Sequence, residues 1–189
     1  TLLCTAMAVV KDCAKALDAP VRKPGNRLAL IGHTTPDGGG SVASDLLGLP
    51  DSTVPRPDLA EAPSVFRAIY AASQACEMAS CHDLSEGGLA VAAAEMLLGT
   101  TRLGIDLDLS QVPCTSTNHL ARLFTEGPTR FLVEVSADQV DSFAQRFADL
   151  PIAWVGEVTD SASLLLRSGD LPLAAFDIPT LLRANGTSA

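Results

Sequence analysis

Hydrophobic and polar residues along the chain follow two periods, one typical of strands and one typical of helices. Short apolar or alternating runs predict strands, and these runs cover residues 2–10, 27–32, 78–81, 105–109, 131–135, 153–158 and 163–166. Apolar residues at helical spacing predict helices, over residues 42–47, 64–77, 89–98, 117–124, 137–150 and 178–183. Because strands and helices mix without a strict βαβ repeat, we expect the α+β class, with helices packed on a mixed or antiparallel sheet.

The stretch from residue 81 to 99 combines a strand end, an acidic turn and a helix, and this arrangement has a chemical use. Gly87 and Gly88 precede a run of strong helix formers. The first amides of a helix favour anions, and paired glycines let a phosphate approach the backbone closely. Asp83 offers a hard oxygen ligand for Mg²⁺ that is already bound to nucleotide phosphates. The alternative is that Ser85 or Asp83 caps the helix and the glycines only allow packing.

A second glycine-rich loop separates the first internal strand from the helix that begins at Val42. Gly39, Gly40 and Ser41 end a run of small residues, and such a loop could cradle an anion. A flexible turn with Ser41 as the helix N-cap explains the same residues and is favoured.

Charged residues offer two further candidate sites. Glu126 and Arg130 flank a Gly-Pro turn, so both side chains can project into one cleft. Arg130 could pair with a phosphate, but an ion pair between Arg130 and Glu126 is the simpler account. Asp106 and Asp108 lie two apart on one strand, where metal binding is one interpretation and a solvated strand face is the favoured one.

Composition narrows the classes of function. Hydrophobic residues make up 47% of the 189 residues and charged residues 19%, which indicates a globular protein with a sizeable core. A net charge of −9 without a basic cluster argues against nucleic acid or an anionic membrane surface as a partner. The five cysteines form no C-x-x-C pair, so we expect reduced, mostly buried thiols of a cytosolic protein. No apolar run is long enough to cross a membrane.

Three longer stretches point to one family. HDLSEGGLAVAAAEM, residues 82–96, resembles the H-D-[LV]-S-[DE]-G-G-L-x-V-x-x-x-E-M signature of the phosphoribosylformylglycinamidine synthase (FGAM synthase) family of purine biosynthesis. GNRLALIGHTTPDGGGS and LFTEGPTRFLVEV resemble two further stretches from the second half of these enzymes, and WVGEV resembles their I-G-x-V. The stretches occur in family order, so the resemblance covers nearly the whole chain.

The resemblance implies a fold and a domain organisation. It implies a three-layer α/β/α sandwich with a mixed sheet, the C-terminal AIR-synthase-like domain, over residues 21–185. Residues 1–20 are then the last strand of a preceding domain plus a linker, and residues 186–189 a frayed tail. Because the chain begins inside an apolar run, we expect it to be a piece of a longer protein.

The resemblance also implies a reaction, the ATP-dependent amidation of FGAR to FGAM with glutamine-derived ammonia. The implied cofactors are Mg²⁺ and ATP, the latter as substrate or as a structural nucleotide. The implied partners are the rest of the synthetase chain and, in the small form of the enzyme, a glutaminase and small accessory subunits, in the cytoplasm. Because the catalytic histidine and the main ATP-binding segments of the family have no counterpart here, we expect the 189 residues alone to be inactive.

The resemblance assigns roles to individual residues. Asp83 corresponds to a family residue associated with Mg²⁺. The residues implied in binding ATP or phosphate are Ser85, Gly87, Gly88, Gly39, Gly40 and Ser41. Glu126 and Arg130 correspond to a pair that touches substrate in the first half of the family enzymes. The chain departs from the family at residues 127–129 and 35–38, which bears on this substrate contact and on the glycine loop.

Two other interpretations stay open. The chain could belong to another enzyme of the same ATP-binding superfamily, such as AIR synthetase, selenophosphate synthetase, thiamine-monophosphate kinase or a hydrogenase-maturation protein. It could also be a non-catalytic scaffold or dimerisation domain that holds a structural nucleotide or none.

Overall fold

The computed structural model describes residues 3–10, 12–48 and 53–186, and a seven-stranded sheet forms its centre. The strands are β1 Arg27–Ile31, β2 Met78–Asp83, β3 Gly104–Asp108, β4 Phe131–Val135, β5 Ile152–Thr159, β6 Ser163–Ser168 and β7 Leu171–Asp177. Their spatial order is β2-β4-β1-β5-β3-β6-β7. The β3–β6 pair is parallel and every other neighbouring pair is antiparallel, so the predicted mixed sheet is confirmed.

Helices pack on both faces of the sheet. They are α1 Val42–Leu47, α2 Ala62–Gln74, α3 Gly88–Leu98, α4 His119–Phe124, α5 Val140–Arg146 and α6 Ile178–Ala184. The helices α3, α4 and α6 share one apolar core with the sheet, and α2 and α5 share a second core on the other face. The α+β class and the three-layer arrangement expected from the sequence are therefore confirmed.

Strand β1 shows how the sequence pattern builds the two cores. Leu28 and Leu30 contribute to the core under α3, while Ala29 and Ile31 contribute to the core under α2. All four side chains are fully buried. Because successive side chains in a strand point to opposite faces, a continuous apolar run at the centre of the sheet supplies both cores at once.

Three elements differ from the sequence-based expectation. Strand β7 was not predicted, because Pro172 interrupts it and an edge strand with exposed side chains lacks an alternating pattern. The helix predicted over 137–150 is a short 3-10 turn, Ala137–Gln139, followed by the seven-residue α5. Residues 3–10 form no strand and are exposed, so the buried strand predicted there is absent from the described part of that segment.

Asp106 and Asp108 do not form a solvated face, because both carboxylates pair with Arg167. The Arg167 guanidinium, on neighbouring β6, donates to a carboxylate oxygen of each at 2.8 Å. Burial alone would raise the pKa of Asp108, but hydrogen bonds from Ser110 and Gly169 and the charge of Arg167 outweigh it and hold this pKa below its usual range. The expectation of a solvated face was wrong because the parallel β3–β6 pairing, which places Arg167 opposite Asp108, has no local signal in the sequence.

The structure also tests the predictions about the cysteines and about membrane-spanning helices. Cys4, Cys13 and Cys76 are exposed, so the expectation of mostly buried thiols was wrong for these three. Among the described residues, no helix combines the length and the apolar character needed to cross a membrane.

Candidate functional site

The turn between β2 and α3 carries the first group of predicted site residues. Strand β2 ends at Asp83, whose side chain is 62% exposed, and the Ser85 hydroxyl donates to the Asp83 carboxylate. Helix α3 begins after Gly87, which has a φ of 78° and provides no side-chain cap. The alternative interpretation, in which the side chain of Ser85 or Asp83 caps this helix, was therefore wrong.

Glu126 supplies the missing acceptor at the start of α3. Its Oε1 atom accepts a hydrogen bond from the Gly87 amide at 2.8 Å and another from the Val42 amide at 2.9 Å. Val42 is the first residue of α1 and Gly87 directly precedes α3, so one carboxylate oxygen accepts hydrogen bonds at the starts of two helices. The two glycine-rich segments, distant in sequence, thus meet at Glu126.

The loop before α1 is held by its own hydrogen bonds. Ser41 is buried and its hydroxyl accepts from the Ser44 amide at 3.1 Å, so the predicted N-cap is confirmed. The Gly39 amide donates to the Thr53 carbonyl, and the Ser41 amide donates to the Gly38 carbonyl. Gly40 has a φ of 75°, a conformation that glycine adopts readily.

Close packing requires a glycine at position 88, independently of its predicted role toward phosphate. Its φ is 63°, and a β-carbon added there would lie 2.7 Å from the Thr125 carbonyl oxygen and 2.8 Å from that of Leu123. The start of α3 therefore touches the backbone that follows α4. The glycine is needed for this close approach whether or not a phosphate binds.

Arg130 points into the protein and not into an open cleft with Glu126. It is 2% exposed, and its Nη1 and Nη2 atoms donate to the Thr125 carbonyl at 2.6 Å and to the Thr34 hydroxyl at 2.8 Å. Burial lowers the pKa of Arg130 to about 10. The predicted ion pair with Glu126 was wrong. Both side chains contact protein groups in this structure. Direct contact of Glu126 or Arg130 with a substrate stays a prediction.

One pair beside the turn escaped the sequence reasoning. The His82 Nε2 atom lies 2.9 Å from a carboxylate oxygen of Glu95, and this contact joins the end of β2 to the middle of α3. Both residues fall in the family-like stretch 82–96, which was the available signal. A separation of 13 residues across a turn matches no helix or strand spacing, so the pairing itself could not be read from pattern.

The arrangement of carboxylate, imidazole and thiol groups limits how the protein could bind a metal ion. Within the described ranges, no three His, Cys, Asp or Glu side chains converge in a way that could hold a metal ion. Asp83, exposed at the mouth of the turn, fits the role of a single protein ligand to a Mg²⁺ ion. Such an ion takes its remaining ligands from phosphate and water.

Cys81, two residues before Asp83, should be far less reactive than the exposed cysteines. Burial, with the charge of Asp83 adding to it, raises the pKa of Cys81 to about 12. Because the thiolate is the nucleophile, we expect iodoacetamide at about pH 8 to modify Cys81 roughly 100-fold more slowly than Cys4, Cys13 or Cys76. Peptide mass spectrometry measures the four rates. Equal rates in the native protein would contradict the expectation, and equal rates in urea are the control.

Comparison with known proteins identifies the relatives of the chain. The family model described as AIR synthase related protein, C-terminal domain, matches residues 23–167. The phosphoribosylformylglycinamidine synthase subunit PurL of Limosilactobacillus reuteri is 31% identical over 166 residues, covering 85% of this chain and 21% of the relative. The same subunit of Corynebacterium ammoniagenes is 33% identical over 178 residues, covering 89% and 22%. The chain thus spans about a fifth of the length of these curated relatives.

Solved structures share the fold. T. maritima PurL complexed with FGAR superposes with a TM-score of 0.76 at 18% identity, covering 89% of this chain and 29% of that chain. The same protein complexed with ATP, and the structure of PurLQS from Thermotoga maritima, each give a TM-score of 0.71. At such identities the likeness shows the fold alone.

Proposed function

Because the chain belongs to the family of AIR synthase related protein C-terminal domains, we propose that it is this domain of an FGAM synthase. The proposed reaction of the whole enzyme is the ATP-dependent amidation of FGAR to FGAM, with glutamine-derived ammonia. One observation carries the proposal: the three FGAM-synthase-like stretches are distant in sequence but meet in the fold. Glu126 contacts Gly87, Arg130 contacts Thr34, and Glu126 also contacts Val42, the residue after the stretch 25–41.

The proposed chemistry is phosphoryl transfer, in which the protein mainly positions and neutralises the phosphates. ATP supplies the phosphoryl group that activates the amide oxygen, and ammonia then displaces it. On this chain, Asp83 would bind Mg²⁺. The backbone around Ser85, Gly87 and Gly88, with the loop of Gly39, Gly40 and Ser41, would orient phosphate groups. Helix α3 contributes the partial positive charge of its N-terminus.

The remaining parts of the enzyme are proposed from the relatives. T. maritima PurL has been solved with ATP and with FGAR, and PurLQS from the same organism has also been solved. By analogy, the rest of the synthetase chain, a glutaminase and a small accessory subunit would complete the activity, in the cytoplasm. The acidic surface, with a net charge of −9, supports the view that neither nucleic acid nor an anionic membrane is a partner.

The direct test is FGAM formation by the longer protein that contains this chain. With FGAR, Mg·ATP and ammonium, we expect FGAM, ADP and phosphate in equal amounts, and no product from the 189 residues alone. FGAM formation by the isolated chain would contradict the expected inactivity of the fragment. Absence of FGAM formation by the longer protein, with activity toward the substrates of a related superfamily enzyme, would contradict the proposed reaction.

A scaffold role is the second candidate, and one observation favours it. The amides of Gly39, Ser41, Val42, Gly87 and Gly88 all donate to protein acceptors, so much of the predicted phosphate cradle is satisfied internally. A scaffold domain without nucleotide would gain no stability from Mg·ATP, whereas a nucleotide site would.

A further inference from the structure

The carboxylate of Glu126 occupies an unusual position, because one of its oxygens joins two helix starts from different parts of the fold. The Oε1 atom accepts from the Val42 amide at 2.9 Å and from the Gly87 amide at 2.8 Å. The Val42 amide follows the segment of Gly39, Gly40 and Ser41, and the Gly87 amide lies within the segment of Ser85, Gly87 and Gly88, both of which the proposed function assigns to phosphate. A single side chain therefore links the two segments directly.

The backbone that carries Glu126 is itself firmly fixed. The Thr125 amide donates to the Ala121 carbonyl at the end of α4, and the Thr125 carbonyl accepts from the buried Arg130 guanidinium. Gly88 lies so close to this backbone that an added β-carbon would clash with the Thr125 carbonyl. Glu126 thus projects from a segment held by α4, by Arg130 and by the start of α3.

Arg130 extends the same support to the end of β1. Its second terminal nitrogen donates to the hydroxyl of Thr34, and its own carbonyl accepts from the Leu84 amide in the turn after β2. The segment 125–130 therefore contacts the beginning of the glycine loop and both ends of the β2–α3 turn.

From this geometry we propose that Glu126 is a positioning residue for the phosphate-binding turns and not a ligand of the substrate. Its carboxylate holds the starts of α1 and α3 at a fixed separation, which keeps the two glycine segments ready to act on one phosphorylated ligand. The inference rests on the proposed function for the identity of that ligand. An acceptor oxygen, not a negative charge, is what the role requires, because both contacts are hydrogen bonds from backbone amides.

The test compares Glu126→Ala with Glu126→Gln, whose amide oxygen can still accept both hydrogen bonds. The control is Asp45→Asn, which removes a negative charge from the first turn of α1. The Asp45 side chain makes no hydrogen bond among the described residues, so this variant changes charge alone. NMR measures amide hydrogen exchange at Val42 and Gly87 in the 189-residue chain, and calorimetry measures the dissociation constant for Mg·ATP.

We expect Glu126→Ala to speed exchange at Val42 and Gly87 together by about tenfold or more and to weaken Mg·ATP binding by a similar factor. Glu126→Gln should restore both quantities to within about threefold of wild type, as Asp45→Asn leaves them. Exchange that changes at only one of the two amides would overturn the proposal. The proposal would also be overturned if Glu126→Gln bound Mg·ATP as weakly as Glu126→Ala while its amide exchange at Val42 and Gly87 matched that of the wild type. The negative charge of Glu126 would then act on the ligand directly.

Two other outcomes are also decisive. Tighter binding of Mg·ATP in Glu126→Gln would overturn the positioning role, because the carboxylate would then be a competitor for the phosphate position. If the wild-type chain binds no Mg·ATP, the assignment of the ligand fails, but the exchange measurement still decides whether Glu126 couples the two turns. Failure of the proposed function and failure of this inference are therefore distinguishable.

Discussion

Glu134→Ala is expected to lower the free energy of unfolding by about 3–5 kcal/mol, because a fully buried acceptor group would be lost. The Glu134 carboxylate on β4 accepts hydrogen bonds from the amides of Arg22 and Lys23, from the Asn26 side chain and from the Ser80 hydroxyl, at 2.7–3.1 Å. The substitution leaves these four donors without their acceptor. It would also remove the link between the segment before β1 and strand β4, while the backbone hydrogen bonds of Gly25 and Asn26 to Val158 remain.

Urea denaturation followed by circular dichroism measures this effect on the 189-residue chain. Glu157→Ala on β5 is the matched control, since Glu157 is exposed, and it should change the free energy of unfolding by less than about 0.5 kcal/mol. Glu134→Gln should fall between the two, because one oxygen remains as an acceptor. A loss below about 1 kcal/mol in Glu134→Ala would show that water replaces the carboxylate and that the network is not a stabilising element.

Gly88→Ala is expected to cost about 2–4 kcal/mol, since it combines two penalties. A left-handed φ of 63° is unfavourable for alanine, and the new β-carbon would lie 2.7 Å from the Thr125 carbonyl and 2.8 Å from the Leu123 carbonyl. Both neighbours are backbone atoms, so relief requires a shift of α3 against the end of α4. Such a shift would also disturb the Gly87 contact with Glu126.

Gly25→Ala separates the two penalties. Gly25 has a φ of 85° but no atom within 4 Å of an added β-carbon, so alanine there should cost only about 1 kcal/mol. The same denaturation measurement compares both variants. Equal losses would mean that the close packing of Gly88 against the segment after α4 contributes nothing, contrary to the geometry.

The sequence pattern predicted most of the sheet because most of its strands are apolar or alternating runs. This signal lies in the residues of each strand and does not depend on the strand's neighbours. The residues of β1, β3 and β4 were predicted within one or two positions, and the mixed α+β architecture followed from their order. Strand β7 could not be predicted in this way. It is an edge strand containing Pro172, and its pairing with β6, not its own pattern, makes it a strand.

The positions of the predicted site residues follow from the sequence, their contacts do not, and their binding of nucleotide stays a prediction. Asp83, Ser85 and the two glycine segments were identified from turn chemistry and resemblance, and they do lie around the starts of α1 and α3. The bridging role of Glu126 could not be read from local sequence, because it depends on tertiary contacts with residues 39 and 84 positions away. For the same reason, Arg130 gave the signal of an exposed charge although tertiary packing buries it.

Thermal unfolding of the chain with and without millimolar Mg·ATP tests most directly whether this domain carries a nucleotide site. At ten times the dissociation constant, binding adds about 1.4 kcal/mol, which should raise the Tm by about 3–6 °C. We expect this rise in the wild type and in Asp160→Asn, a substitution in an exposed turn, and its loss in Asp83→Asn. No rise in the wild type, or a rise that persists in Asp83→Asn, would contradict a nucleotide site at the β2–α3 turn.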